Sequence, residues 1–144
     1  MNKSDSLITI EAIIDAPIET VWKNWTNPDD IIKWNNASHD WHTTKAENDL
    51  KTGGRFLFRM ESKDGKTGFD FEGVYDTIKP HELIEYTISD GRKVKVIFTT
   101  ENAKTKIVET FEAENENSLE MQLEGWQAIL NNFKKYTEAS LVNS

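Results

Sequence analysis

Between Gly53 and Phe111 the apolar residues recur at every second position, and two Asp-Gly pairs break the run into segments. A period of two places alternate side chains on one face of a strand, and Asp-Gly between two such runs is a hairpin signal. Phe56, Phe58 and Met60 alternate with Arg55, Leu57, Arg59 and Glu61, and Asp64-Gly65 follows. Phe69, Phe71, Gly73 and Tyr75 form the next stripe; Val74 and Ile78 fall out of phase, which predicts a bulge near Gly73. Ile84, Tyr86 and Ile88, then Val94, Val96 and Phe98 across Asp90-Gly91, continue the pattern. Thr105, Ile107, Glu109 and Phe111 close it. Strands joined by tight turns must be antiparallel.

The rest of the chain has to cover that sheet. Leu7 to Ile14 reads as a further strand with Ile8, Ile10, Ala12 and Ile14 on one face, ended by Asp15-Ala16-Pro17. Ile18, Val21, Trp22 and Trp25 then recur at helical spacing, and Asp29 to Trp34 reads as a second short helix. From Asn35 to Thr52 the pattern is irregular and predicts loop with at most a short strand. Asn115 to Ser140 is the longest helical stretch, with Leu119, Leu123, Trp126, Ile129, Leu130 and Phe133 on one face. Glu120, Gln122, Glu124, Gln127, Asn131 and Lys134 form the solvated face. Asn117 is the expected cap, with Glu120 three residues on. Gly125 sits inside this helix at a cost of about 1 kcal/mol against alanine, so a close approach by another element near Val21 or Trp25 is expected there. The element order predicts an α+β domain with one helix packed on an antiparallel sheet. It treats residues 1–144 as one unit with an ordered core over 7–140.

Composition narrows the function classes. With 17 Lys plus Arg against 25 Asp plus Glu the net charge is −8, the wrong sign for displacing phosphate counterions, which argues against nucleic acid. The same sign disfavours an anionic membrane surface. No cysteine is present, which excludes thiolate metal sites, disulfides and cysteine nucleophiles. The polar Met1 to Ser6 leads into no signal-length apolar run, and the reading is a cytoplasmic protein. No cofactor fingerprint or phosphate loop is present, and no serine elbow. His39, Asp40 and His42 offer a His-x-x-His pair, but with no third ligand in view no metal is expected.

Ala16-Pro17, Val21-Trp22, Thr26-Asn27-Pro28, Trp34, Gly53-Gly54-Arg55-Phe56, Phe71-Glu72-Gly73, Val94 to Phe98 and Gly125-Trp126 occur in an order that resembles a known family. It is the family homologous to the C-terminal domain of the activator of the 90-kDa heat-shock protein ATPase, in the START-like (SRPBCC) superfamily. The resemblance implies a helix-grip fold: a curved antiparallel sheet, here six-stranded, wrapped around the long C-terminal helix, with two short helices after strand 1. It also implies a hydrophobic cavity under that helix.

On this reading the cavity lining comprises Trp25, Trp34, Trp41, Phe56, Phe58, Phe71, Tyr75, Tyr86, Phe98, Glu109, Phe111, Trp126, Ile129 and Phe133. The alternative is that the same aromatic stripe is packed core. Glu109 shares its face with Ile107 and Phe111 by alternation, which points a carboxyl into the apolar layer; a one-residue slip in register would expose it instead. The leading expectation is a small apolar or amphipathic ligand held without chemistry. A protein-interaction module is the second reading and a cyclase- or hydrolase-type enzyme the third. The expected oligomeric state is a monomer or weak homodimer.

Overall fold

The computed structural model describes residues 6–142, so most of the Met1–Ser6 stretch read above lies outside the described residues. The elements are β1 (Leu7–Ile14), α1 (Ile18–Thr26), α2 (Pro28–Trp34), β2 (Trp41–Asn48), β3 (Arg55–Ser62), β4 (Gly68–Lys79), β5 (Leu83–Ile88), β6 (Lys93–Glu101), β7 (Lys104–Glu112) and α3 (Leu119–Val142). One sheet of 7 strands runs in the order β1-β7-β6-β5-β4-β3-β2, every neighbouring pair antiparallel. The sheet curls around α3 in an α+β helix-grip arrangement.

β1 and β2 lie at opposite edges of the sheet, so the intervening α1 and α2 must cross from one edge to the other. That crossing places Trp22, Trp25 and Trp34 beneath the open side of the curl. Asn27 starts α2, its side-chain oxygen accepting from the Asp29 amide at 3.3 Å, and Pro28 follows at a position where a missing amide costs nothing.

Three expectations need correction. The sheet has a seventh strand, β2, within the stretch read as loop. β2 is an edge strand with a register shift between Thr43 and Lys45, and Thr43 is its one fully buried residue, so it shows no period of two. The bulge of β4 lies between Tyr75 and Thr77 instead of at Gly73; it resets the phase so that Ile78 again packs inward. The cap of α3 is Ser118, whose hydroxyl accepts from the Met121 amide at 3.1 Å, in place of Asn117.

The buried stripe of α3 is also displaced from the expected face. Leu119 and Leu123 are exposed, while Gln122, Leu130, Phe133 and Thr137 are buried. Gln122 is buried because it serves the turn before the helix: its carbonyl accepts from the Glu114 amide at 2.8 Å, and its amide donates to the Glu114 and Asn117 carbonyls at 3.0 Å. Buried polar groups need such partners.

Gly73 is required by close approach. A Cβ there would stand 2.9 Å from the Phe56 ring and closer still to the Thr87 carbonyl oxygen, which is backbone and cannot yield cheaply. Gly73→Ala is expected to destabilise the fold by about 1–3 kcal/mol, the usual range for overpacking. Chemical denaturation checks this, and an unchanged midpoint would contradict it.

Candidate functional site

A cavity of about 680 Å³ lies between the concave face of the sheet and α3. Period two builds its sheet wall. Phe56 and Phe58 project from β3, Phe71 and Tyr75 from β4, Ile84 and Tyr86 from β5, and Glu109 from β7. Gly125, Trp126 and Ile129 of α3 form the roof, with Trp25 and Trp34 at the α1–α2 side. The bordering side chains of Phe69 and Met121 are 49% and 60% exposed, which places them with Trp41 at the mouth. Size and mainly aromatic lining are those of a small-molecule pocket.

The expected lining residues divide into two layers. Trp25, Trp34, Trp41, Phe56, Phe58, Phe71, Tyr75, Tyr86, Glu109, Trp126 and Ile129 border the void. Phe98, Phe111 and Phe133 do not; they lie behind it in packed core. Phe111 is covered by Trp126, whose ring stacks on it at 4.0 Å and 10°. Phe133 meets Trp25 and Trp34, each at 4.9 Å, so it faces the short helices as well as the core beneath the sheet. Phe98 packs edge-on to Trp22 at 5.3 Å and Trp25 at 5.7 Å. Alternation gives the face of each residue but not its depth.

Among the polar side chains that line the void, four bear most on its chemistry. The Tyr75 hydroxyl donates to Asn48 Oδ1 at 2.6 Å, and Asn48 Nδ2 donates to the Thr26 carbonyl at 2.7 Å, which ties β4 to β2 and α1. Burial raises the pKa of Tyr75. Tyr86 is raised well above the ordinary phenol value, first by burial and then by the charge of Glu109. Arg92, in the turn before β6, borders the cavity and donates through Nε to Asp90 Oδ2 at 2.8 Å.

Glu109 is the fourth. It is 5% exposed, paired in register with Ile10 and Val96, and inward-facing. Among the described residues its carboxyl makes no hydrogen bond or ion pair, and burial alone pushes its pKa from 4.5 to about 8. An ionised carboxylate without a partner is strongly disfavoured in such surroundings. The empty cavity therefore holds Glu109 as a neutral acid at pH 7.

Sequence reasoning misses several lining groups. Arg92 reads only as a turn residue, and Gln122 reads as part of the solvated face of α3; Met121 is among the residues that the sequence offers to the apolar layer from the helix. Gly125 does give a signal, as a costly residue in mid-helix, but its direction is not legible. A Cβ built on Gly125 meets nothing within 4 Å, so no element approaches there; the missing side chain enlarges the void. Gly125→Ala is therefore expected to stabilise the protein by up to about 1 kcal/mol through helix propensity. A loss of stability in denaturant titration would contradict this placement.

The histidines contribute no site. His39 lies in an exposed turn and His42 at an exposed position of β2, so the two do not share one face of a helix. His81 packs edge-on to Trp22 at 5.8 Å. Among the described residues no group of three or more His, Asp or Glu side chains is placed to hold a metal ion. Among the same residues no helix is long and apolar enough to cross a membrane.

The model of the activator of Hsp90 ATPase homolog 1-like protein family matches residues 15–138. The solution structure of the AHSA1-like protein from Aeromonas hydrophila is 46% identical, covers 94% of each chain and superposes with a TM-score of 0.88. That of Chr148 from Cytophaga hutchinsonii is 53% identical over 95% of each chain, with a TM-score of 0.81. NE0264 from Nitrosomonas europaea shares the fold alone, with a TM-score of 0.82 at 16% identity over 93% of this chain and 95% of its own. No curated protein matches. By matched length and by these relatives, the chain belongs to the activator of Hsp90 ATPase homolog 1-like family of the START-like superfamily.

Proposed function

We propose that this chain binds one small apolar or amphipathic molecule in the cavity under α3. The observation that carries the reading is the void itself: about 680 Å³ walled by aromatic side chains, with a buried, unpartnered carboxyl on one wall. A packed core of the same composition would have closed over it. Burying about 300 Å² of ligand apolar surface at ~25 cal/mol per Å² contributes about 7.5 kcal/mol. Lost translational and rotational freedom offsets about 4 kcal/mol or more of that, so dissociation constants of roughly a millimolar are expected for a ligand without specific polar contacts, and tighter binding requires polar contacts as well.

A protein-interaction surface has less support. The exposed large apolar side chains come from five elements, β1, α2, β4, β6 and α3, whereas the void is one contiguous feature. The ligand reading is tested with the neutral fluorophore N-phenyl-1-naphthylamine. Saturable enhancement at one probe per chain, with energy transfer from Trp126 and its neighbours, is expected. A signal that never saturates, or none, counts against the cavity as a binding site.

A further inference from the structure

Resting on that ligand-binding reading, we infer that the cavity's ligand is an organic ammonium amphiphile. Its cationic head lies against Glu109 and the rings of Trp126 and Tyr86, and its apolar body fills the void toward Phe69 and Met121.

The first observation is a buried carboxyl without a partner. Glu109 is 5% exposed and borders the cavity, yet among the described residues it has neither a hydrogen bond nor an ion pair. A buried carboxyl is normally paired. Arg92 is the cation of the cavity wall, but its guanidinium is bonded to Asp90, and its field is felt by Tyr86 and Glu114 and is not among the influences on Glu109. The position opposite the Glu109 carboxyl is thus open to a cation from outside the chain.

The second observation is what surrounds that position. Trp126 stacks on Phe111 at 4.0 Å, two residues along β7 from Glu109, and the charge of Glu109 reaches the Tyr86 phenol on β5, across β6; Phe71 and Phe56 link those two rings at 6.3, 5.9 and 5.0 Å. Aromatic faces attract ammonium groups and hold quaternary ones in cages, most strongly where water is excluded. A carboxylate and aromatic rings on one cavity wall satisfy both the charge and the bulk of an alkylammonium head. The net charge of −8 adds a long-range attraction for cations.

The arrangement disfavours the other ligand chemistries. A fatty acid would set its carboxylate beside a carboxyl that could then not ionise, and a neutral alcohol would give Glu109 one hydrogen bond and no charge to pair with.

Binding a cation must ionise Glu109, whose pKa in the empty cavity is about 8. Tyr75 and Tyr86 stay protonated below that pH, since burial raises both. Arg92 is bonded to Asp90, and Glu114 is held down by the Glu116 and Asn117 amides against the burial that raises it. Glu109 is then the group that titrates, and a quaternary ammonium should bind about 50-fold more tightly at pH 8 than at pH 6 by proton linkage.

The test is displacement of N-phenyl-1-naphthylamine by decyltrimethylammonium, 1-decanol and decanoate, each below its aggregation concentration. Decyltrimethylammonium should compete at concentrations at least tenfold lower than the other two at pH 8, lose that advantage toward pH 6, and lose it in Glu109→Gln. Equal competition by all three, a cation affinity flat with pH, or stronger competition by decanoate through Arg92 overturns the ammonium assignment and leaves an apolar ligand site standing. Absence of displacement by any of them, with no probe binding, overturns both. The pH series uses the unaltered protein, so it decides the matter even where the variant folds poorly.

Discussion

Between pH 4.5 and 8 the ligand-free protein should lose stability as pH rises, by on the order of 4 kcal/mol, and Glu109→Gln should remove most of that slope. The ordinary carboxyl value of 4.5 applies to the unfolded chain, and burial raises the folded value to about 8. Between those limits the folded state holds a proton that the unfolded state has released, so unfolding is favoured progressively as protons become scarce. Below pH 4.5 both states hold the proton; above pH 8 neither does, and the loss is complete. The magnitude follows from about 1.36 kcal/mol per pK unit over that interval. Glu138 works in the opposite direction: Lys134 and the Asp15 amide hold it below its usual value against the burial that raises it. Its contribution is lost as pH falls below the carboxylate range. Urea midpoints across pH 4 to 9 for both proteins check this, and a wild-type profile that is flat, or rises, from pH 5 to 8 would show that Glu109 is not buried as an isolated acid.

The second large effect separates core from cavity. Phe133 is fully buried and packs edge-on against both Trp25 and Trp34, so Phe133→Ala should cost about 3–5 kcal/mol, the transfer and cavity terms together. Ile129, one turn earlier on the same helix, already faces the void. Its outer atoms lack neighbours on that side, so Ile129→Ala should cost less, below about 2 kcal/mol by the same reasoning. Equal losses at the two positions would mean that the space beside Ile129 is filled in solution.

These contrasts show where the sequence is informative. Period-two patterning and the Asp-Gly pairs identify β3, β4, β5, β6 and β7, and alternation along β7 correctly turns Glu109 inward, because a strand fixes side-chain direction locally. β2 is illegible for the converse reason: an edge strand with a bulge has a single buried residue and makes no pattern. On α3, Leu119 and Leu123 mark an apolar face, yet the helix turns them outward and buries Gln122, because the preceding turn needs its amide more than the core needs a leucine. The resemblance supplies the helix grip but says nothing of depth. Depth is what separates Phe56 and Tyr86, which wall the void, from Phe98, Phe111 and Phe133, which lie behind it. Gly125 shows the limit best: a glycine in mid-helix signals that a side chain is unwelcome, and only the three-dimensional arrangement shows that it borders open space and not a neighbouring element.

That last point yields the most direct measurement. The affinity of N-phenyl-1-naphthylamine should be compared between the unaltered protein and Gly125→Phe, whose new ring enters the void without meeting other atoms near its Cβ. The binding account predicts at least a tenfold loss of probe affinity with a melting temperature within a few degrees of the original. Unchanged affinity in a variant that melts normally would contradict it.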